Sequence, residues 1–216
     1  MQERHIKSAV FDLDGTLMSS HTTIYKCTMK TFEEFNIAAE IKESEFYNKI
    51  GYHFKDIFED FNISVPDLDI FIDKYKTLYF DFIDESKIYP NVLETLESLY
   101  SKGIKVSLLT TKAQDQAEKI LEYFDLKKYF EIIMGRQSGF GVKPAPDALL
   151  HICNTVKIPI EETIMVGDSE LDVRCGKNAG TRTCAVTFGY RNKQDLEKEN
   201  PDFIISDFKE LLEIIH

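Results

Sequence analysis

Val10-Phe11-Asp12-Leu13-Asp14-Gly15-Thr16-Leu17 sets two carboxylates side by side where an apolar run stops. Ser8 to Leu13 reads as a buried strand. In extended backbone, side chains alternate faces, so Asp12 and Asp14 are expected on one face with Leu13 turned into the core. Two close carboxylates repel, and unless a cation lies between them one takes up a proton; the arrangement suits a metal site or an acid/base partnership. Gly15 tolerates the φ of a tight exit, and the turn's amides with the Thr16 hydroxyl suit an anion held beside the carboxylates. The bland alternative is a strand end with two solvated acids. D-x-D-G-T arises by chance in roughly a few chains per thousand of this composition, which favours a motif with chemistry in it.

Outward from this stretch the pattern changes twice. After Leu17 the chain turns aromatic and acidic with helical periodicity: Ile24, Thr28, Phe32 and Phe35 form one stripe, Phe54, Ile57, Phe58 and Phe61 another. A third, from Leu68 through Phe71, Tyr75 and Tyr79 to Phe82, starts after Pro66-Asp67. Such stripes are core far more often than ligand sites, so residues 19–84 read as an inserted helical bundle, with Gly51 interrupting the pattern ahead of Tyr52 and His53. From Tyr89 onward helix and strand alternate. Helical faces at Val92 to Tyr100, Ala117 to Phe124, 145–157 and 170–179 separate strands at 104–110, Phe130 to Met134, Thr163 to Val166, 183–187 and 203–205. Alternation of this kind implies a mostly parallel sheet flanked by helices, with ligands outside the carboxyl ends of the strands.

Three further groups fall at such strand ends. Thr110, followed by Thr111, closes a strand and is expected to present its hydroxyl to a phosphate oxygen at a helix N-terminus; by itself it reads as a helix cap. In Lys143-Pro144-Ala145-Pro146 the prolines are expected to fix an extended lead-in that pins Lys143, an ammonium suited to neutralising a carboxylate and a phosphate together. Gly167-Asp168-Ser169-Glu170-Leu171-Asp172 puts one Asp at a strand end and another about one helical turn later.

The chain has 216 residues, 43% of them hydrophobic, and a formal net charge of −11. Without a run of Lys or Arg, that charge argues against nucleic acid as a partner. No apolar run approaches the ~20 residues of a membrane span, so no membrane partner is expected. Cys27, Cys153, Cys175 and Cys184 lack C-x-x-C spacing and read as reduced, mostly buried thiols, consistent with a cytoplasmic location.

Taken together, D-L-D-G-T-L, then Thr110, Lys143 and G-D-x-x-x-D resemble in their order the four motifs of the haloacid dehalogenase-like (HAD) superfamily, across essentially the whole chain. The resemblance implies an α/β fold: a Rossmann-like core with a mostly parallel sheet flanked by helices, residues 1–18 and 85–216, plus an inserted helical-bundle cap at 19–84. It implies that Asp12 is nucleophile and metal ligand, and that Asp14 is general acid/base with its main-chain carbonyl on the metal. Asp168 would complete the metal site, Gly15, Thr16, Thr110, Thr111 and Lys143 would hold phosphate, and Asp172 and Ser169 would stand behind them. Four carboxylates against one lysine leave about −3 before phosphate arrives, an excess that calls for a hard cation, and oxygen ligands suit Mg2+.

The activity implied is hydrolysis of a small phosphorylated metabolite through an aspartyl-phosphate, by a monomer or weak dimer. Asp14 sets the chain with the superfamily's phosphatases and phosphomutases, since its dehalogenases lack that residue. The cap position resembles phosphoglycolate phosphatase-like and β-phosphoglucomutase-like members. Ser19, Asn91 and Thr111 depart from that subgroup's usual residues, and Gly167, where β-phosphoglucomutases tend to carry Glu, favours hydrolysis over the mutase. Phosphoglycolate leads as substrate, with nucleotides, sugar phosphates and pyrophosphate next, and Gly51, Tyr52 and His53 are expected to meet the leaving group. A catalytically silent binding protein is the alternative of a different class.

Overall fold

Apolar β-strand formers between Gly- and Asp-rich turns produce the sheet seen in a computed structural model, which describes residues 5–215. The chain divides into two compact units, one taking in residues up to Leu17 and from Ile88 onward, the other Met18–Lys87. It opens with β1 (Ser8–Phe11), then enters the helical unit through β2 (Met18–Ser19), α1 (His21–Glu34), α2 (Glu43–Tyr47), α3 (Phe54–Asp60) and α4 (Leu68–Tyr79), leaving it at β3 (Lys87–Ile88). The remainder runs α5 (Val92–Ser101), β4 (Lys105–Ala113), α6 (Gln114–Tyr123), β5 (Ile132–Arg136), α7 (Asp147–Val156), β6 (Thr163–Gly167) and α8 (Glu170–Ala179), and then β7 (Arg182–Val186), α9 (Lys193–Lys198), β8 (Phe203–Ile205) and α10 (Leu211–Ile214).

Six strands form one sheet in the order β5-β4-β1-β6-β7-β8, every pair parallel. β1 and β6 expose no side chain, as central strands must when helices cover both faces. The chain moves from β1 to β4 and β5 on one side and returns to β6 on the other, so β1 lies at the reversal of strand order, where ligands of such sheets bind. Phe11 is level with Leu108 of β4 and Val166 of β6, which brings the residues that follow these three positions to one edge.

The helical unit is held by its aromatic stripes. Phe32 lies 5.1 Å from both Phe58 and Phe71, Phe54 lies 4.8 Å from Tyr75, and Phe58 meets Phe71 edge-on at 5.1 Å, between ring centroids. α4 ends at Tyr79, and a 3-10 turn over Phe80–Glu85 carries the stripe on where a continuous helix was expected. The short α2 carries too few apolar residues to have signalled itself.

Three sequence expectations about the core are corrected. β4 does not close at Thr110-Thr111: after a register shift it continues to Ala113, which pairs with Arg136, because consecutive β-branched threonines extend it. β5 covers Ile132–Arg136, so Gly135 belongs to the strand and donates its amide to Gln114 Oε1 at 2.7 Å. The lead-in to α7 is not extended; the Lys143-Pro144 peptide is cis and Pro146 has helical φ and ψ. Cys27, Cys153, Cys175 and Cys184 are buried and free of disulfides. Among the described residues no helix is long and apolar enough to cross a membrane.

Candidate active site

Asp12 follows β1 directly and still donates its amide to the Val166 carbonyl at 3.0 Å, which fixes its carboxylate at the carboxyl edge of the sheet. Lys143 reaches it from the loop before α7. The ammonium lies 2.8 Å from Asp12 Oδ1 and 2.6 Å from Asp172 Oδ1, all three side chains almost wholly buried. Asp172 is held from behind: its Oδ2 accepts from the Ser169 amide at 3.1 Å, one half of the capping box that starts α8, and from the Ser169 hydroxyl at 2.5 Å. One local device thus starts a helix and orients a carboxylate toward Lys143.

Asp168, just past β6, accepts at Oδ2 from the Tyr190 amide at 2.7 Å and at Oδ1, at 3.4 Å, from the Thr16 hydroxyl. Thr16 is therefore turned to Asp168 and is fully buried, where the sequence suggested it would face an anion. Gly15 adopts φ +86°, and a Cβ there would lie 2.3 Å from Asp168 Oδ2. On the other side, a Cβ on Gly189 would lie 2.2 Å from Asp168 Cβ and 2.4 Å from the Gly15 carbonyl oxygen. Two bare backbones press on one carboxylate.

Electrostatics follows from this burial. It pushes Asp12 up from the ordinary 3.8 to about 7; Lys143 opposes the shift, and Asp172 and Asp14 add to it. Asp168 is pushed well above the carboxylate range by burial, then by Asp172 and Asp12. Burial pulls the Lys143 ammonium down, but Asp12 and Asp172 outweigh it and hold the group above the usual lysine range. Carboxylate oxygens of Asp12, Asp168 and Asp172 come within 4.8 Å of one another. Asp172 is tied to the Lys143 ammonium and to Ser169, and the group as a whole fits a hard divalent cation, which would relieve the crowding that now favours protons.

Asp14, whose charge also bears on Asp12, has an ion-pair partner of its own. The strand stops at Phe11, so strand alternation alone does not place Asp14. Its Oδ2 instead lies 2.8 Å from Lys112 Nζ, the two side chains only 11% and 7% exposed. Lys112 is the site residue that sequence reasoning missed. The charge count changes accordingly, to four carboxylates against two lysines, leaving about −2. The Tyr190 amide and Gly189 were also missed, and a loop so distant in sequence from Asp168 carries no local signal.

Thr110 is buried, but α6 starts at Gln114 and its N-cap is Ala113, so Thr110 caps no helix; its hydroxyl accepts the Lys112 amide at 3.2 Å. Thr110, Thr111 and Lys143 nevertheless line one small pocket, together with Arg136 and Gln137. In the helical unit Gly51 adopts φ +101° with open space around it, and Tyr52 is 39% exposed. His53 is the N-cap of α3, its Nδ1 accepting from the Lys55 amide at 3.1 Å.

The chain is 31% identical over 211 residues to the pyrophosphatase PpaX of Halalkalibacterium halodurans, covering 97% of each chain. It is 30% identical over 225 residues to the phosphoglycolate phosphatase of Vibrio parahaemolyticus, covering all of this chain and 98% of that one. A solved structure of a haloacid dehalogenase-like family protein from Streptococcus pneumoniae shares the fold, at a TM-score of 0.85 and 24% identity over 98% of this chain and 99% of that one. The model of the haloacid dehalogenase-like hydrolases matches residues 9–186, a span that holds Asp12, Lys143 and Asp168 alike. By that match and those relatives, the chain belongs to the haloacid dehalogenase-like hydrolase family.

Proposed function

We propose that the chain is a magnesium-dependent phosphatase that hydrolyses a small phosphate compound through an aspartyl-phosphate on Asp12. The observation that carries this reading is Lys143, buried between Asp12 and Asp172 with Asp168 alongside. A nucleophile and a fixed cation stand together where a phosphoryl group needs both. Asp12 and Asp168, with the Asp14 main-chain carbonyl, would hold Mg2+, which when bound draws charge from the phosphate oxygens. Lys143 and the pocket with Thr110 and Thr111 take the remaining phosphate oxygens, joined by the amides after Gly15. Asp172 and Ser169 keep Lys143 in place.

In the first step an Asp12 oxygen attacks phosphorus in line, the bond from phosphorus to the leaving oxygen breaks, and Asp14 gives that oxygen its proton. In the second step Asp14 takes a proton from water as the water oxygen attacks phosphorus. The bond from phosphorus to Asp12 breaks, phosphate leaves and the Asp12 carboxylate is restored. Two relatives, named for pyrophosphate and for phosphoglycolate, support a substrate of that size. We assign selection among substrates in part to the loop Gly51 to His53 of the helical unit, and the four buried, free thiols fit an enzyme of the cytoplasm.

Phosphate release from p-nitrophenyl phosphate and a panel of metabolite phosphates tests the reading. Turnover should require Mg2+, stop with EDTA, and disappear in Asp12→Asn, a nearly isosteric change that should leave the fold intact. Substantial turnover by Asp12→Asn would overturn the assignment of the nucleophile.

A further inference from the structure

We infer that Lys112 reads charge on the leaving group, selecting phosphate compounds whose departing half carries a second negative group, a carboxylate or another phosphate. The inference rests on the proposed phosphatase reading, in which Asp14 meets the leaving oxygen. The site holds two ammonium groups, and they are divided. Lys143 is committed to Asp12 and Asp172. Lys112 lies 2.8 Å from Asp14 Oδ2, with its side chain 7% exposed. One cation therefore accompanies the nucleophile and the other accompanies the carboxylate on the leaving side.

For stability alone such a pair returns little, because desolvating both ions offsets most of their attraction. Its consequence is the field it imposes beside Asp14. In a site with little water, a charged donor acts on a nearby anion far more strongly than it does in bulk solvent. Lys112 is also set on rigid backbone: it belongs to β4, and its amide is tied to the Thr110 hydroxyl at 3.2 Å. A flexible surface lysine would follow its ligand; this one is held in advance, so it distinguishes ligands by where they carry charge. A leaving half with a carboxylate or phosphate brings a full charge within the reach of this ammonium, whereas a neutral alcohol of the same size brings none before the bond breaks.

The test compares two esters of equal size, 2-phosphoglycolate and its neutral amide, 2-phosphoglycolamide, on the full chain with Mg2+. Wild type should prefer the carboxylate ester in kcat/KM. Lys112→Met should shrink that preference by roughly 10- to 100-fold, the range of one charge-assisted hydrogen bond, and Lys112→Arg should keep most of it. A ratio of two substrates in one sample does not depend on how much of the variant is folded. If Lys112→Met turns over neither ester, the ratio of dissociation constants is read by calorimetry in the Asp12→Asn background, with the same shift expected. An unchanged ratio in Lys112→Met overturns the role of Lys112 and leaves the phosphatase reading standing. Failure of wild type to hydrolyse any member of the metabolite panel overturns the phosphatase reading itself.

Discussion

Asp12 must be ionised to attack phosphorus or bind a cation, yet burial pushes it up to about 7 in the metal-free chain. The folded protein then keeps a proton that the unfolded chain gives up near its ordinary value of 3.8. Stability from this group is present below that value and is lost as pH rises through about 7. A divalent cation needs the ionised form, so it should bind more tightly as pH rises, releasing protons where Asp12 is still protonated. Two outcomes are expected. In calorimetry near pH 6.5, Mg2+ binding should show an enthalpy that varies with the ionisation heat of the buffer. The rise in melting temperature with Mg2+ should be larger near pH 8 than near pH 6, and this difference should shrink in Asp12→Asn. Affinity for Mg2+ independent of pH would show that Asp12 is not among the ligands. The residues themselves were mostly legible: Asp12, Lys143 and Asp168 stand on strand ends or a proline-flanked loop that local pattern reveals. The partner of Asp14 was not, since Lys112 and Asp14 stand 98 residues apart and their ion pair leaves no trace in either stretch alone.

At the scale of elements, the site depends on how closely backbones approach. The Gly15 turn after β1 and the Gly189 turn after β7 both rest on Asp168, and the amide after Gly189 completes its hydrogen bonds. Gly189→Ala would drive a methyl group into Asp168 and the Gly15 carbonyl, both backbone-tethered and unable to yield as the end of a long side chain does. We expect a loss of roughly 1–3 kcal/mol in stability and at least about ten-fold weaker Mg2+ binding, read by thermal melting and calorimetry. Unchanged metal affinity in Gly189→Ala would mean that Asp168 is not positioned by this turn. The elements show the same division of legibility. Hydrophobic period located the six strands of the parallel sheet and the longer helices but not β2, β3, α2, α9 or α10, and the ends of β4 and β5 moved because pairing in the sheet carried Thr110-Thr111 and Gly135 past the ends expected of the two strands.

At the scale of the whole chain, the division into a sheet-centred unit and a helical one suggests a division of labour that substitution can separate. All four carboxylates and both lysines of the site belong to the sheet-centred unit. Changes there, Lys112 apart, should act on every substrate, while changes at Tyr52 and His53 should re-rank substrates without altering Mg2+ affinity. His53 complicates the comparison, because its ring caps α3, and Ala at an N-cap costs about 1 kcal/mol whatever the residue does for substrate. His53→Asn keeps a capping acceptor and removes the imidazole, which separates the two effects. If His53 meets substrate, His53→Asn and His53→Ala should both change the order of kcat/KM across a panel of phosphoglycolate, sugar phosphates, nucleotides and pyrophosphate. If it only caps the helix, His53→Asn should match wild type on every substrate while His53→Ala melts lower. Tyr52→Ala carries no such confusion, its side chain being partly exposed in a loop. An unchanged substrate order in both Tyr52→Ala and His53→Asn would exclude this loop from selection and leave discrimination to Lys112 and its neighbours in the sheet.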